Sequence, residues 1–145
     1  MAATIRLPAL RGAMTEQLHR IARLCDGVRC DMAMLVLPDV FERTWGQRGR
    51  AAASAESQGT SFWSEAIAAV REVRPGFVFM AEAYWDLEER LQQMGFDLTY
   101  DKRVTDFVVE RRPADLSRHL LGKSLEFLQR SVHFLENHDE PRIAG

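Results

Sequence analysis

The sequence predicts an α/β fold built on a parallel sheet, and two observations carry that prediction. Segments alternate helix, strand, helix, strand along the whole chain, the order expected of βα units. The clearest strand, FVFMA at 77–81, is short, apolar on both faces and preceded by the breaker Pro75-Gly76, as a strand covered on both sides would be.

The elements follow in order. Met14 to Leu24 reads as an amphipathic helix: Met14, Leu18, Ile21 and Ala22 share one side at spacings of three and four, and Glu16, Arg20 and Arg23 lie largely off it. Asp26-Gly27 breaks the chain, and the apolar run VRCDMAMLVL starts as a strand and runs on as a turn towards Pro38. A loop rich in Gly, Ser and Ala spans about Gly46 to Thr60. Ser61 then stands as an N-cap before the helix FWSEAIAAVREV, with Glu65 in the first turn to suit the helix dipole. After FVFMA comes the helix DLEERLQQM, and after Gly95 the short strand GFDLTYD. Helical residues cover about Lys102 to Arg111. Pro113 fits the first turn of a helix from about Ala114 to Leu128, with Gly122 as its point of bending, and SVHFLEN is the fourth strand.

Composition narrows the function classes. With 145 residues, 46% of them hydrophobic, and a formal net charge of -2, the chain suits one globular domain with one core. Acidic and basic residues are interspersed, so no cationic stripe is available for a phosphate backbone and no basic amphipathic helix for a membrane surface; nucleic acid and membrane are not expected as partners. No apolar run approaches the ~20 residues that span a bilayer, and the opening MAATIRLPALRGAM lacks the continuous apolar stretch of a signal peptide, which makes the expected location cytoplasmic. Cys25 and Cys30 are expected to be reduced thiols, because Cys30 lies in an apolar strand-like run and no second Cys/His pair completes a zinc site.

Three strands end in, or lead directly to, a carboxylate: Asp31 in GVRCDMA, Glu82 in FVFMAEAYWD and Asp139 in HFLENHDEP. Singly, each is the kind of acid that caps a helix. Together they are more informative, because parallel strands share one carboxyl-terminal edge and gather residues distant in sequence there. Arg29, two residues before Asp31, points to the same side of its strand and would keep that carboxylate ionised, as a nucleophile requires. Glu82, flanked by Ala81, Ala83, Tyr84 and Trp85, has apolar surroundings suited to holding a proton for donation. Tyr84 and Trp85 are either core aromatics or an apolar face for a sugar ring.

These residues resemble the alpha-amylase family of glycoside hydrolases (family 13). GVRCD resembles the segment that ends the family's fourth barrel strand, where Gly, Arg and the nucleophilic Asp occur at this spacing. FMAE is similar to the fifth-strand segment carrying the acid/base Glu, and FLENHD to the seventh-strand segment with its Asn-His-Asp triplet. The three occur in family order, and the likeness runs from about Ala13 to Arg142. It implies a partial TIM-type (β/α)8 barrel, strands four to seven with their helices, with residues 1–12 a non-native or disordered N-terminus. It further implies a retaining glycosidase or transglycosidase acting on alpha-glucosidic bonds in carbohydrate metabolism. Catalytic residues would be Asp31, Glu82 and Asp139, the first two about 5 to 5.5 Å apart, with Arg29, His138, Asn137, Tyr84 and Trp85 binding the alpha-glucan or oligosaccharide.

The chain also departs from that pattern. Met34 and Leu35 stand where many members carry a Lys-His pair, and the family's first motif and its eighth strand have no counterpart, which leads to the expectation of a truncated or split form. A whole barrel takes ~250 residues. Four strands alone leave two unpaired edges and an open inner face, so a homo-oligomer or a missing barrel half is an expected partner. No metal and no cofactor is expected, since the family's common calcium site draws on other parts of the barrel. The competing readings are a non-catalytic carbohydrate-binding or interaction module and an inactive fragment.

Overall fold

The computed structural model describes residues 7–45, 61–140 and 142–143. Twelve elements follow one another: α1 (Pro8–Ala22), β1 (Gly27–Cys30), a 3-10 turn (Ala33–Val36), α2 (Pro38–Trp45), α3 (Phe62–Val73), β2 (Val78–Ala81), α4 (Glu88–Gln93), β3 (Leu98–Tyr100), α5 (Lys102–Val109), α6 (Pro113–Leu121), α7 (Leu125–Gln129) and β4 (Ser131–Val132). The fold is mixed α/β. The four strands of the described residues form one all-parallel sheet in the order β1-β2-β3-β4, so each strand lies beside the next one in the chain.

Register fixes the two faces of that sheet. Paired residues of parallel strands project to the same side, and the row Cys30, Ala81, Thr99 is buried. Phe79, on the same side, joins Phe77, Phe96 and Trp63 in an aromatic cluster with ring centroids 5.0–6.3 Å apart. Helices α1 and α3 pack on each other over this side, and the core contains Leu18, Ala22, Ala66, Ile67 and Val70 from them. Trp63 donates its indole N–H to the Ala33 carbonyl at 2.8 Å, so the one polar atom of the cluster is satisfied. The other side carries Arg29, Met80 and Leu98 in one row and Tyr100 beside Val132 in the next, and at its foot Val78 is 41% exposed.

Two glycines are required by geometry. A Cβ on Gly27 would lie 2.8 Å from the Val78 carbonyl oxygen, so the close approach of β1 to β2 needs glycine at that position. Gly95 has φ +111, which lets α4 end and the chain turn sharply into β3. Asp97 then secures the turn: Arg71 donates to both of its oxygens at 2.7 Å, and the Phe79 amide donates to Oδ2 at 2.7 Å.

Several boundaries differ from the sequence reading. The first helix starts at Pro8 rather than Met14, because Pro is suited to the first helical position, so residues 8–12 belong to it and are not a disordered arm. The run VRCDMAMLVL is strand only to Cys30; Met32 takes a left-handed conformation (φ 43) and the rest coils into the 3-10 turn. A helix, α2, follows over Pro38–Trp45, a stretch for which the sequence reading assigned no element, again opened by a proline. The expected helix from Ala114 to Leu128 is two helices, interrupted after Leu121, with Ser124 capping the second by accepting from the Phe127 amide at 3.1 Å. The fourth strand shrinks from SVHFLEN to Ser131–Val132. Ser61 holds the N-cap position of α3 without capping it; its hydroxyl faces the Met94 sulfur at 3.3 Å. The predicted loop from Gly46 to Thr60 lies outside the described residues. Among the described residues no helix is long and apolar enough to cross a membrane.

Candidate functional site

The carboxyl-terminal ends of β1 and β2 build one compact polar cluster. Glu82 follows β2 directly, is 2% exposed, and has its backbone locked by two bonds, one to β1 and one to the 3-10 turn: its amide donates to the Cys30 carbonyl and its carbonyl accepts from the Ala33 amide, both at 3.0 Å. Its side chain is ringed by donors. The Met32 amide donates to Oε2 at 2.8 Å, the Tyr84 hydroxyl donates to Oε1 at 2.8 Å, and Arg29 Nη2 stands 2.9 Å from Oε1. The left-handed turn at Met32, a conformation costing a non-glycine residue roughly 1–2 kcal/mol, is what aims that amide at Glu82. The apolar surroundings expected for Glu82 are therefore only part of its environment.

Arg29 joins the two acids. Its Nη1 donates to Asp31 Oδ1 at 2.5 Å while Nη2 faces Glu82 as an ion pair, with no directed hydrogen bond of its own. The guanidinium carbon sits 5.7 Å from the centre of the Tyr100 ring, which supports it from β3. Glu82 first and Arg29 second lower the Asp31 pKa below the usual carboxylate value, and His138 adds a smaller push in the same direction. Asp31 is the one with room to move, its side chain being 74% exposed. Burial, with Glu82 beside it, pushes the Tyr84 phenol above its ordinary pKa and keeps it a neutral donor.

The segment after β4 reaches this cluster less directly. His138 Nε2 and Asp139 Oδ2 are 3.0 Å apart, both largely exposed, and the Asp139 amide donates to Asn137 Oδ1 at 2.9 Å. Asp139 acts on Tyr84, and His138 on Asp31, through charge rather than contact. Asn137 Nδ2 is buried with no hydrogen-bond partner among the described residues. Helix α5 holds the segment in place: Thr105 Oγ1 donates to the Phe134 carbonyl at 2.5 Å, and Lys102 bridges Asp106 at 2.5 Å and Glu140 at 3.1 Å.

Tyr84 packs against the core, whereas Trp85 is 55% exposed. Trp85 and Asp86 take consecutive left-handed conformations, φ 65 and 61, and backbone strain of this kind concentrates at functional sites. The sequence reading passed over Asp101, which follows β3 directly as Asp31 follows β1 and Glu82 follows β2. It is 2% exposed, and both His119 (Nε2 at 2.9 and 3.0 Å) and His133 (Nε2 at 3.3 Å) turn to it. The signal was the final Asp of GFDLTYD. Cys25 is exposed and Cys30 buried, both free, and burial pushes the Cys30 thiol up to about 12. Among the described residues no group of three or more His, Cys, Asp or Glu is placed to hold a metal ion. Compared with models of known protein families, with curated proteins and with solved structures, the chain matches none.

Proposed function

We propose that the chain carries the reacting centre of an alpha-amylase-type retaining glycoside hydrolase or transglycosidase acting on alpha-glucosidic bonds. The observation that supports this reading most is the single guanidinium, Arg29, held between Asp31 and the buried Glu82 at 2.5 and 2.9 Å. A retaining reaction needs two carboxyl groups in different states, one ionised to attack carbon and one able to give up a proton. Arg29 and the approach of Glu82 favour the ionised form of Asp31.

In this reading Asp31 attacks the anomeric carbon as the glycosidic bond breaks, and Glu82 passes its proton to the departing oxygen. Glu82 then removes a proton from water, or from a sugar hydroxyl, as that oxygen displaces Asp31 and restores the free carboxylate. Asp139 and His138 hold the hydroxyls of the reacting ring. The sheet would be strands four to seven of a (β/α)8 barrel, a reading favoured by the sequential strand order and by acids gathered at one edge. Its two outer edges and open face call for further parallel strands, from a second copy or a complementary barrel half.

Exposure of Asp31 and Asp139, 74% and 57% at the side chain, favours a second reading: a carbohydrate-binding module whose acids only hydrogen-bond sugar hydroxyls. Hydrolysis of a short maltooligosaccharide, with sucrose and trehalose in parallel, separates the two. Turnover that vanishes in Asp31→Asn and falls about 10²- to 10⁴-fold in Glu82→Gln supports the glycosidase. Sugar binding without turnover, unchanged in Asp31→Asn, supports the binding module.

A further inference from the structure

The acids gather at the carboxyl-terminal end of the sheet, and the opposite end holds a cleft of contrary charge. Helix α1 ends at Ala22, shortly before β1, and α3 ends at Val73, shortly before β2, so the two packed helices finish together at the amino-terminal ends of these strands. Between them opens a cavity of about 310 Å³ lined by His19, Ala22, Arg23, Val73 and Arg74, with no acid in its wall. The volume falls at the lower end of the roughly 300–1,000 Å³ of small-molecule sites.

Cations near the last turn of a helix ordinarily answer its own carbonyls. Here the last three of α1 are already bonded. The Arg20 carbonyl accepts from the Arg23 amide at 3.2 Å, the Ile21 carbonyl from the Leu24 and Cys25 amides at 2.8 and 3.3 Å, and the Ala22 carbonyl from Arg74 Nη1. Neither His19 nor Arg23 has a side-chain hydrogen bond or an ion pair among the described residues, and Arg23 is exposed. Arg74 is held in place rather than neutralised: Nη2 donates to Asp26 Oδ1 at 2.6 Å, but that carboxylate is 97% exposed, and an ion pair so open to water is worth little.

A fixed guanidinium, a free guanidinium and a free imidazole around one small cleft form a donor set without a carboxylate to match it. Such a set suits three terminal oxygens. A phosphate monoester offers these at a charge of about −1.5 to −2, and arginine forks hold phosphate oxygens in pairs, whereas a carboxylate presents two oxygens and a single charge. Val73, 74% exposed, and Ala22 add an apolar wall for the organic part of the ester.

We propose that this cleft binds a small soluble phosphate monoester, its phosphoryl oxygens held by Arg23, Arg74 and His19. The site lies at the other end of the strands from Asp31 and Glu82 and does not depend on what they do, so the glycosidase reading stands or falls separately.

Glucose 6-phosphate is titrated into the full chain at about 0.15 M salt, where diffuse surface attraction is screened, and followed by calorimetry and phosphorus NMR. Saturable binding of one ligand per chain is expected. Arg23→Gln should weaken it about 10- to 100-fold, the range for hydrogen bonds to a charged group, and the fold gives that side chain no partner to lose. Arg118→Gln, on α6 away from the cleft, removes the same charge and should leave the affinity nearly unchanged. No saturable binding at millimolar ligand, or binding that the two variants change to the same extent, overturns the site. Inorganic phosphate bound as tightly as glucose 6-phosphate overturns the ester and leaves a site for the bare ion. Capture by phosphatidic acid vesicles without binding of glucose 6-phosphate overturns the soluble ligand.

Discussion

The two ends of the sheet are held by different means. Around β1 and β2, burial does the work: the core runs without a break from Leu18 to Phe96 through α1, the 3-10 turn, α2, α3 and α4. Around β3 and β4, α6 has no buried residue, and Phe127 is the one buried apolar side chain of α7. Polar ties take the place of apolar packing. Asp101 receives two histidines, Gln92 donates to the Thr99 hydroxyl at 2.9 Å, and Arg130 donates to the carbonyls of Gln92, Phe96 and Asp97. The difference maps onto the candidate site. Arg29, Asp31 and Glu82 stand on the packed end, and Asn137, His138 and Asp139 on the end tied by polar bonds. Directional bonds fix geometry but bury little apolar surface, so the second end depends more on whatever covers it.

That contrast can be broken from either side. Phe79→Ala removes the centre of the aromatic cluster and should cost about 3–5 kcal/mol, collapsing both ends in one denaturant transition. Asp101→Ala leaves two histidines without their carboxylate and should cost about 1–3 kcal/mol. Hydrogen exchange should then speed up at the amides of Thr99 and Asp101, which bond to the β4 region, and not at Glu82. Equal acceleration at both ends would show that the two are one cooperative unit.

The acids on the packed end give a pH test. Asp31 has a lowered folded pKa, so any stability it contributes is full above the unfolded value of about 3.9 and is lost as pH falls through the lower folded value. Arg29→Met removes one of its two main supports. The Asp31 titration, read by carboxyl NMR, should move up towards about 3.9, and the acid limb of any turnover profile should move with it. The smallest effect is chemical: a thiol reagent should modify the exposed Cys25 quickly and Cys30 only when the core opens, because burial raises the Cys30 pKa to about 12. Phe79→Ala should release Cys30, and Asp101→Ala should not.

The same contrast decides what could be read from the sequence. FVFMA is legible as a short apolar run after a breaker, although only one of its faces is fully covered, and the helix after Ser61 by its periodic apolar face; both belong to the packed end. SVHFLEN reads as a long strand because Val132, Phe134 and Leu135 are β-formers. Pairing stops at Val132, since Tyr100, its partner, is the last residue of β3. After that the chain is held by Thr105 and Lys102, contacts from another element that no local pattern announces. The positions of Asp31 and Glu82 could be read because a strand-terminal acid is a local feature. Asp101 has the same feature, but its partners His119 and His133 come from 18 and 32 residues further on, and only the fold brings them to it. The bridging of two acids by Arg29 likewise has no sequence signature.

Trapping the intermediate tests the central claim most directly. An alpha-glucosyl fluoride needs no acid at its leaving group, so in Glu82→Gln the attack by Asp31 should proceed while the release that depends on Glu82 stalls. Mass spectrometry should then find one glucosyl group bound to the chain, on the peptide containing Asp31, and none in the double variant with Asp31→Asn. A folded Glu82→Gln chain that acquires no glucosyl group, or acquires it at another residue, would contradict the account.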